Sequence, residues 1–129
     1  MRVIKYLAII PARSGSKRLK NKNIKKIKEK PLLDLTINSA INCKEIKVIL
    51  LTTDIKNYFK KKFKKVYMIN RPRQLASDSS STETAILHAI QAFKKENKVE
   101  IKNIILLQPT SPLRSSNDIK RAIKTFEVQ

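Results

Sequence analysis

The chain has 129 residues, room for one domain with a real core and too few for two. Its 29 Lys and Arg against 10 Asp and Glu leave a net charge of +19, while 41% hydrophobic residues exclude intrinsic disorder. Such an excess of cations raises nucleic acid or anionic membrane as a partner. Most of it is lysine, however, which a bias of composition supplies as readily as a ligand does; arginine occurs only at Arg2, Arg13, Arg18, Arg71, Arg73, Arg114 and Arg121. Cys43 stands alone, which excludes an intramolecular disulfide and a cluster of metal-binding thiols and points to a reducing compartment, the cytoplasm. Arg2 and Lys5 ahead of Leu7-Ala8-Ile9-Ile10 imitate a signal peptide, but the apolar run is too short and breaks at Pro11. No run approaches the ~20 apolar residues of a membrane span, so no membrane partner is expected.

In chain order, apolar runs alternate with segments of helical period, the pattern of repeated βα units. Residues 6–11 form a continuous apolar run, the form of a strand buried on both faces of a parallel sheet. A polar loop over 12–30 follows. Pro31 then suits the first turn of a helix in which Leu32, Leu35, Thr36, Ser39 and Ala40 share a face, ending near Asn42. Residues 47–53 (KVILLTT) read as a second buried strand, 55–65 as a lysine-studded helix with Tyr58, Phe59 and Phe63 inward, and 66–69 as a third strand. After a polar loop over 70–81, Ser81 or Thr82 can cap a helix over 83–96 carrying Ile86, Leu87, Ala89, Ile90 and Phe93. Residues 102–108 (KNIILLQ) are the fourth strand, and Ser116 or Asn117 caps a last helix through Ile119, Ala122, Ile123 and Phe126. Right-handed crossovers place these strands in a mostly parallel sheet with helices on both faces. Ligands in such sheets collect at the carboxyl ends of the strands, where three polar loops converge.

The first of those loops, Pro11-Ala12-Arg13-Ser14-Gly15-Ser16-Lys17-Arg18, sets small residues beside several cations. Small side chains let backbone N–H groups approach an anion, and Arg13 with Lys17 or Lys22 adds charge-assisted bonds to phosphate oxygens. Gly15 is the only glycine of the chain, and its pattern is neither a Walker loop nor GxGxxG. The plainer reading is a turn with its cations in water. His88, mid-helix among apolar residues, reads as structural; Asp54 reads as a cap for the helix after it, and Asp78 as a tie for its loop or a cap.

Identity of the residues narrows the choice. Ile10-Pro11-Ala12-Arg13-Ser14-Gly15-Ser16-Lys17, Lys22-Asn23, Lys30-Pro31-Leu32-Leu33, Arg71-Pro72 with Leu75-Ala76-Ser77-Asp78, and Leu106-Leu107-Gln108-Pro109-Thr110-Ser111-Pro112-Leu113-Arg114 follow one another across nearly the whole chain. This series closely resembles the motifs of the acylneuraminate cytidylyltransferases, the CMP-sialic acid synthetase family. The resemblance implies an α/β, Rossmann-like three-layer fold with a mostly parallel sheet of the nucleotidyltransferase type, truncated here, with residues 1–129 the nucleotide-binding portion of a single incomplete domain. It implies cytidylyl transfer from CTP to a nine-carbon 2-keto sugar acid of sialic, legionaminic or pseudaminic type, with pyrophosphate released. By motif position Ala12, Arg13, Ser14, Ser16, Lys22 and Asn23 would hold the nucleotide, Arg13 and Lys22 being the catalytic pair. Arg71, with Ser80, Ser81 and Thr82, would approach the cytosine edge, and Gln108, supported by Thr110 and Ser111, the sugar acid, while Arg114 would order its loop.

Two departures qualify the likeness. Glu29 stands where the family usually has Gly before Lys-Pro-Leu. The family domain also continues past the fourth βα unit, and that later part would supply both the aspartates for the expected Mg²⁺ and the arm exchanged in a dimer; Asp34, Asp54, Asp78 and Asp118 match none of the metal positions, so this chain is expected to offer no metal ligand. The fourth strand is accordingly expected to present an open edge that invites association. Two other functions stay open: a related 3-deoxy-manno-octulosonate cytidylyltransferase, which the Gln-Pro-Thr-Ser-Pro-Leu-Arg run disfavours, and a basic nucleic-acid-binding module reusing the fold. The latter would want aromatics interleaved with cations, yet Tyr58, Phe59 and Phe63 fall at helical spacing and read as core.

Overall fold

The computed structural model describes residues 2–12, 26–27, 30–71, 82–109 and 115–127. They form β1 (Arg2–Ala12), β2 (Lys26–Ile27), β3 (Lys30–Pro31), α1 (Leu32–Ile41), β4 (Val48–Thr53), a 3₁₀ turn (Lys56–Lys60), β5 (Val66–Asn70), α2 (Thr82–Glu96), β6 (Val99–Leu106) and α3 (Ser116–Glu127). Four of the strands make one parallel sheet in the order β5-β4-β1-β6. The core divides into two layers, one on each face of the sheet. Ala8, Ile10, Ile49 and Leu51 pack with Leu33 and Ile37 of α1, Tyr58, and Ile119 and Ile123 of α3. Leu7, Ile9, Val48 and Leu50 pack with Ala89 and Phe93 of α2. Both faces of β1 and β4 are thus covered, and their sequences are continuous apolar runs for that reason.

Strand order climbs from β1 through β4 to β5 and then returns to the far side of β1 for β6, so the order reverses between β1 and β6. Alternation slips once along this central pair. Ile4 and Leu7 both face α2, as Ile101 does, whereas Tyr6 and Ile105 face the other layer. Between them the Lys5 carbonyl accepts a bond from the Asn103 side chain (2.9 Å), and Lys5 is absent from an otherwise continuous register.

The four strands lie where the sequence places them, with β1 and β6 beginning earlier, at Arg2 and Val99, in half-exposed alternating stretches. Other expectations are corrected. The helix expected over 55–65 is a single 3₁₀ turn, in which Tyr58 is buried while Phe59 points to solvent and Phe63 is half-buried. Three consecutive lysines leave that segment no apolar stripe with which to hold a full helix to the sheet. Pro31 belongs to β3, antiparallel to β2 within what reads as a loop, and α1 begins at Leu32. Its buried face is Leu33, Thr36, Ile37 and Ala40, one position round from the expected one, and Ser39 instead bonds back to the Leu35 carbonyl (3.0 Å). Ser115, one residue before the expected cap, caps the start of α3: its Oγ accepts from the Asp118 N–H (3.2 Å) and Asp118 Oδ2 accepts from the Ser115 N–H (3.1 Å), a reciprocal capping box.

At its other end α1 is finished by a side chain from far along the sequence. The Lys65 ammonium donates to the carbonyls of Ile41 (2.8 Å), Cys43 (3.2 Å) and Ile46 (3.0 Å). Lys65 itself has φ 67, the only non-glycine residue with positive φ among those described. Burial pulls its pKa below the ordinary lysine value of 10.5. The left-handed residue lies in the turn just before β5, and from there its side chain caps the end of α1.

Candidate functional site

Because the sheet is parallel, α1 and α2 each run back toward the start of a strand and α3 leaves the end of one. All three helix N-termini therefore lie at the carboxyl edge, where partial positive charge and unpaired N–H groups favour an anion. The register brings the strand ends level there: Ala12 pairs with Thr53 and Thr53 with Asn70, and the Arg71 N–H donates to the Thr53 carbonyl (3.0 Å). On the other side the Leu107 N–H donates to the Ile9 carbonyl (3.0 Å), so Gln108 emerges beside the end of β1, at the point of reversal.

Four of the expected site residues thus share this edge. Ala12 is buried at the end of β1, Gln108 is exposed beside it, and Thr82 opens α2. Arg71 is only 5% exposed, unusual for a residue that is rarely buried without partners. Arg13, Ser14, Ser16, Lys22 and Asn23, together with Ser80, Ser81, Asp78, Thr110, Ser111 and Arg114, lie outside the described residues, as does the side chain of Thr82.

Two buried threonines close β4 at the same edge, and sequence reasoning passed over them as strand residues. Thr53 Oγ1 accepts from the Ile55 N–H (3.0 Å), so the 3₁₀ turn is entered through Thr53, and Ile55, in the cap position, makes no side-chain bond. Asp54 is not that cap. Thr52 Oγ1 and His88 Nδ1 are buried with no hydrogen-bond partner among the described residues. A polar pair ending the run Val-Ile-Leu-Leu was the signal available for the threonines.

Several other ionisable groups among the described residues hold elements together. Tyr58 donates to Asp34 Oδ1 (2.6 Å) while Lys61 reaches Asp34 Oδ2 (3.3 Å) and lies 4.4 Å from the Tyr58 ring centre, which fastens the 3₁₀ turn to α1. Burial and the Asp34 carboxylate push the Tyr58 hydroxyl above its ordinary 10.0. Burial likewise raises the Cys43 thiol, whose Sγ lies 3.5 Å from Glu45 Oε1, the wrong direction for a nucleophilic thiolate. At the opposite edge of the sheet Tyr6 donates to Glu127 Oε2 (2.5 Å), which Lys5 also meets (3.1 Å). That bond raises Tyr6 to about 12 and lowers Glu127 below 4.5. Among the described residues no three His, Cys, Asp or Glu gather as metal ligands, and no helix is long and apolar enough to cross a membrane.

Known proteins resemble this chain along nearly its whole length. Residues 7–129 match the family described as cytidylyltransferase. The chain is 38% identical over 125 residues to N-acylneuraminate cytidylyltransferase of Escherichia coli O18:K1:H7, which covers 95% of the chain and 28% of that protein. It is 32% identical to CMP-N,N'-diacetyllegionaminic acid synthase of Legionella pneumophila, over 97% of the chain and 54% of that protein. Among solved structures, CMP:2-keto-3-deoxy-manno-octonic acid synthetase complexed with CTP superposes with a TM-score of 0.71 at 23% identity, over 97% of this chain and 48% of the other. The chain thus spans between about a quarter and about half of the curated relatives it matches, from 28% to 54%. With the sheet order, the motif series and a match over residues 7–129 in agreement, this chain belongs to the cytidylyltransferase family.

Proposed function

We propose that the chain is the nucleotide-binding part of an enzyme that transfers a cytidylyl group from CTP to a nine-carbon 2-keto sugar acid. The observation that carries this reading is the burial of Arg71 at the carboxyl edge, level with Ala12 and Thr53. A guanidinium fixed there offers donors to the acceptor side of cytosine. Backbone and hydroxyl groups of 80–82 would answer the amino side, the pairing a site needs to reject uracil. Arg13, Ser14, Ser16, Lys22 and Asn23, on the loop that follows Ala12, would hold the triphosphate, assisted by the helix N-termini at that edge. The sugar hydroxyl oxygen forms a bond to the α-phosphorus as the bond to the bridging oxygen breaks; pyrophosphate leaves and the hydroxyl proton passes to solvent. Arg13 and Lys22 would neutralise charge on the transferring and departing phosphates, the protein's main share in phosphoryl chemistry. Gln108, exposed at the reversal point, would orient the sugar acid.

The expected cofactor is Mg²⁺, but the described residues do not fit a metal site. Asp34 is bound by Tyr58 and Lys61, and the Asp118 carboxylate accepts from the Ser115 N–H. No step is assigned to a metal here. The cytoplasm suits a lone buried thiol, and a homodimer would be the expectation for the full-length form. As to acceptor, the relatives named for N-acylneuraminate and legionaminic acid exceed 30% identity, which favours a nonulosonic acid over 3-deoxy-manno-octulosonate.

Calorimetric titration of the chain with CTP and UTP tests the reading. CTP should bind, UTP at least about tenfold more weakly, and Arg71→Met should remove the discrimination, while Lys22→Met should weaken both nucleotides alike. Equal binding of CTP and UTP, or tight salt-dependent binding of single-stranded DNA without response to CTP, would refute it.

A further inference from the structure

The outward side of the segment between β4 and β5 carries a pattern that packing does not require. In a 3₁₀ turn residues three apart share a face. Ile55 and Tyr58 turn inward to the α1 layer, and Lys61 follows them to Asp34. The rows left outside are Lys56 with Phe59 and Asn57 with Lys60, all exposed. Lys61 leaves the turn in an extended conformation; Phe63 then packs inward, while Lys62 and Lys64 are exposed. Phe59, 41% exposed, is thus an apolar ring in a surface whose other outward residues are one asparagine and four lysines. None of those four meets a carboxylate among the described residues, and Asp34, the acid this segment reaches, is already taken by Tyr58 and Lys61. The sequence has no Asp or Glu over residues 55–77, whereas α2 and α3 each carry both signs. A uniform bias of composition toward lysine would not concentrate the unpaired cations around the exposed ring.

We propose that this segment is a contact surface for an anionic lipid bilayer, with Phe59 entering the headgroup region and Lys56, Lys60, Lys62 and Lys64 facing the lipid phosphates. The expectation of no membrane partner rested on the lack of a membrane span, and a surface contact needs none. Long lysine stems lie along apolar surface while their ammonium groups reach the headgroups, and each lysine adds about fivefold to partitioning onto an anionic membrane. The ring supplies the apolar part of the contact, which a purely electrostatic partner would not call for. Single-stranded nucleic acid is the poorer occupant for two reasons. Its phosphates and bases are best met by arginine, and the segment has none. Its successive bases stack on successive rings, and Phe59 is the one exposed ring of the segment. The surface lies on the α1 face of the sheet, and the inference does not depend on the nucleotide reading, since its readouts involve neither CTP nor turnover.

The test is co-sedimentation of the 129-residue chain with vesicles of phosphatidylcholine alone and of phosphatidylcholine mixed with phosphatidylglycerol. Binding to the mixed vesicles should be at least about tenfold tighter than to the neutral ones. The double variant Lys60→Glu with Lys62→Glu should lose at least about twentyfold of it. Lys94→Glu with Lys95→Glu makes the same change of net charge at exposed positions of α2, on the opposite face of the sheet, and should lose no more than about threefold. The chain has no tryptophan, so Phe59→Trp provides a single fluorescent reporter that leaves the lysines in place. Its emission should shift to the blue on the mixed vesicles and be quenched by lipids brominated along the acyl chain. Equal losses in the two double variants would reduce the effect to net charge and overturn the proposal. A Phe59→Trp emission unmoved by the mixed vesicles would overturn it too, as would binding of single-stranded DNA by a chain that ignores them.

Discussion

Replacing Lys65 by Met removes the ammonium from three carbonyls while keeping the length and bulk of the side chain. Those carbonyls, of Ile41, Cys43 and Ile46, accept at 2.8, 3.2 and 3.0 Å. Hydrogen bonds from a charged donor are worth ~1.5–3 kcal/mol each when fully withdrawn from water. Full value for all three is too much here. Burial already holds the Lys65 pKa below 10.5, which means the fold charges a penalty for the ion, and water can refill the outer side of a half-buried group. Between one and two such bonds at the low end of that range, about 2–3 kcal/mol in all, is the expected loss. For a domain of this size that lowers the melting temperature by about 8–12 °C, at roughly 4 °C per kcal/mol. Lys65→Gly separates the cap from the turn. It loses the same ammonium but relieves a φ of 67, worth ~1–2 kcal/mol to a residue with a Cβ, so it should fall between wild type and the Met variant. Thermal melts by circular dichroism on the three proteins decide the matter. A Gly variant as stable as wild type or more so would show that the left-handed strain outweighs the cap, and the reasoning would fail.

Other consequences follow from the same bookkeeping of bonds. Ser115→Ala removes the acceptor for the Asp118 N–H and should cost about 1 kcal/mol in chemical denaturation, the usual value of an N-cap. Tyr6→Phe breaks the latch to Glu127, with an effect set by two titrations of opposite sign. Tyr6 is raised from 10.0 to about 12, so its contribution is complete below pH 10 and is lost as pH climbs toward 12; Glu127 is lowered from 4.5, so its contribution is present above 4.5 and is lost as pH falls through the folded value. The difference in melting temperature between wild type and Tyr6→Phe should therefore be flat from about pH 5 to 10 and shrink beyond either end. A difference independent of pH would place the effect in packing. Tyr58→Phe and Asp34→Asn should each destabilise by about 1 kcal/mol, and a double-mutant cycle should show them coupled by more than ~0.5 kcal/mol. Strict additivity would mean that the bond between them carries no energy.

The sheet was legible because β1 and β4 are buried on both faces, so burial prints them as unbroken apolar runs in the sequence. The first halves of β1 and β6 were not, since Arg2-Val3-Ile4-Lys5 and Glu100-Ile101-Lys102 alternate with charge and lie at the rim, where a strand resembles a loop. The segment from 55 to 65 misled for the converse reason: its aromatics recur at helical spacing, but only Tyr58 finds a full layer to enter. Arg71 and Gln108 stand out through motif identity, and the fold puts both at the carboxyl edge of the sheet. Thr52 and Thr53 went unremarked because hydroxyls in a buried strand carry no pattern of their own. What makes them matter is their height in the sheet, which only the register supplies.

The ammonium that finishes α1 has consequences for the order of folding. Its three acceptors lie 24, 22 and 19 residues upstream, so no local event can complete the end of this helix. The Ile41 and Ile46 carbonyls at the end of the first βα unit meet this donor only once the turn into β5 has formed. Amides at the end of α1 and at the start of β5 are thereby expected to open together in native-state exchange, as one cooperative unit joining elements that the sequence keeps apart.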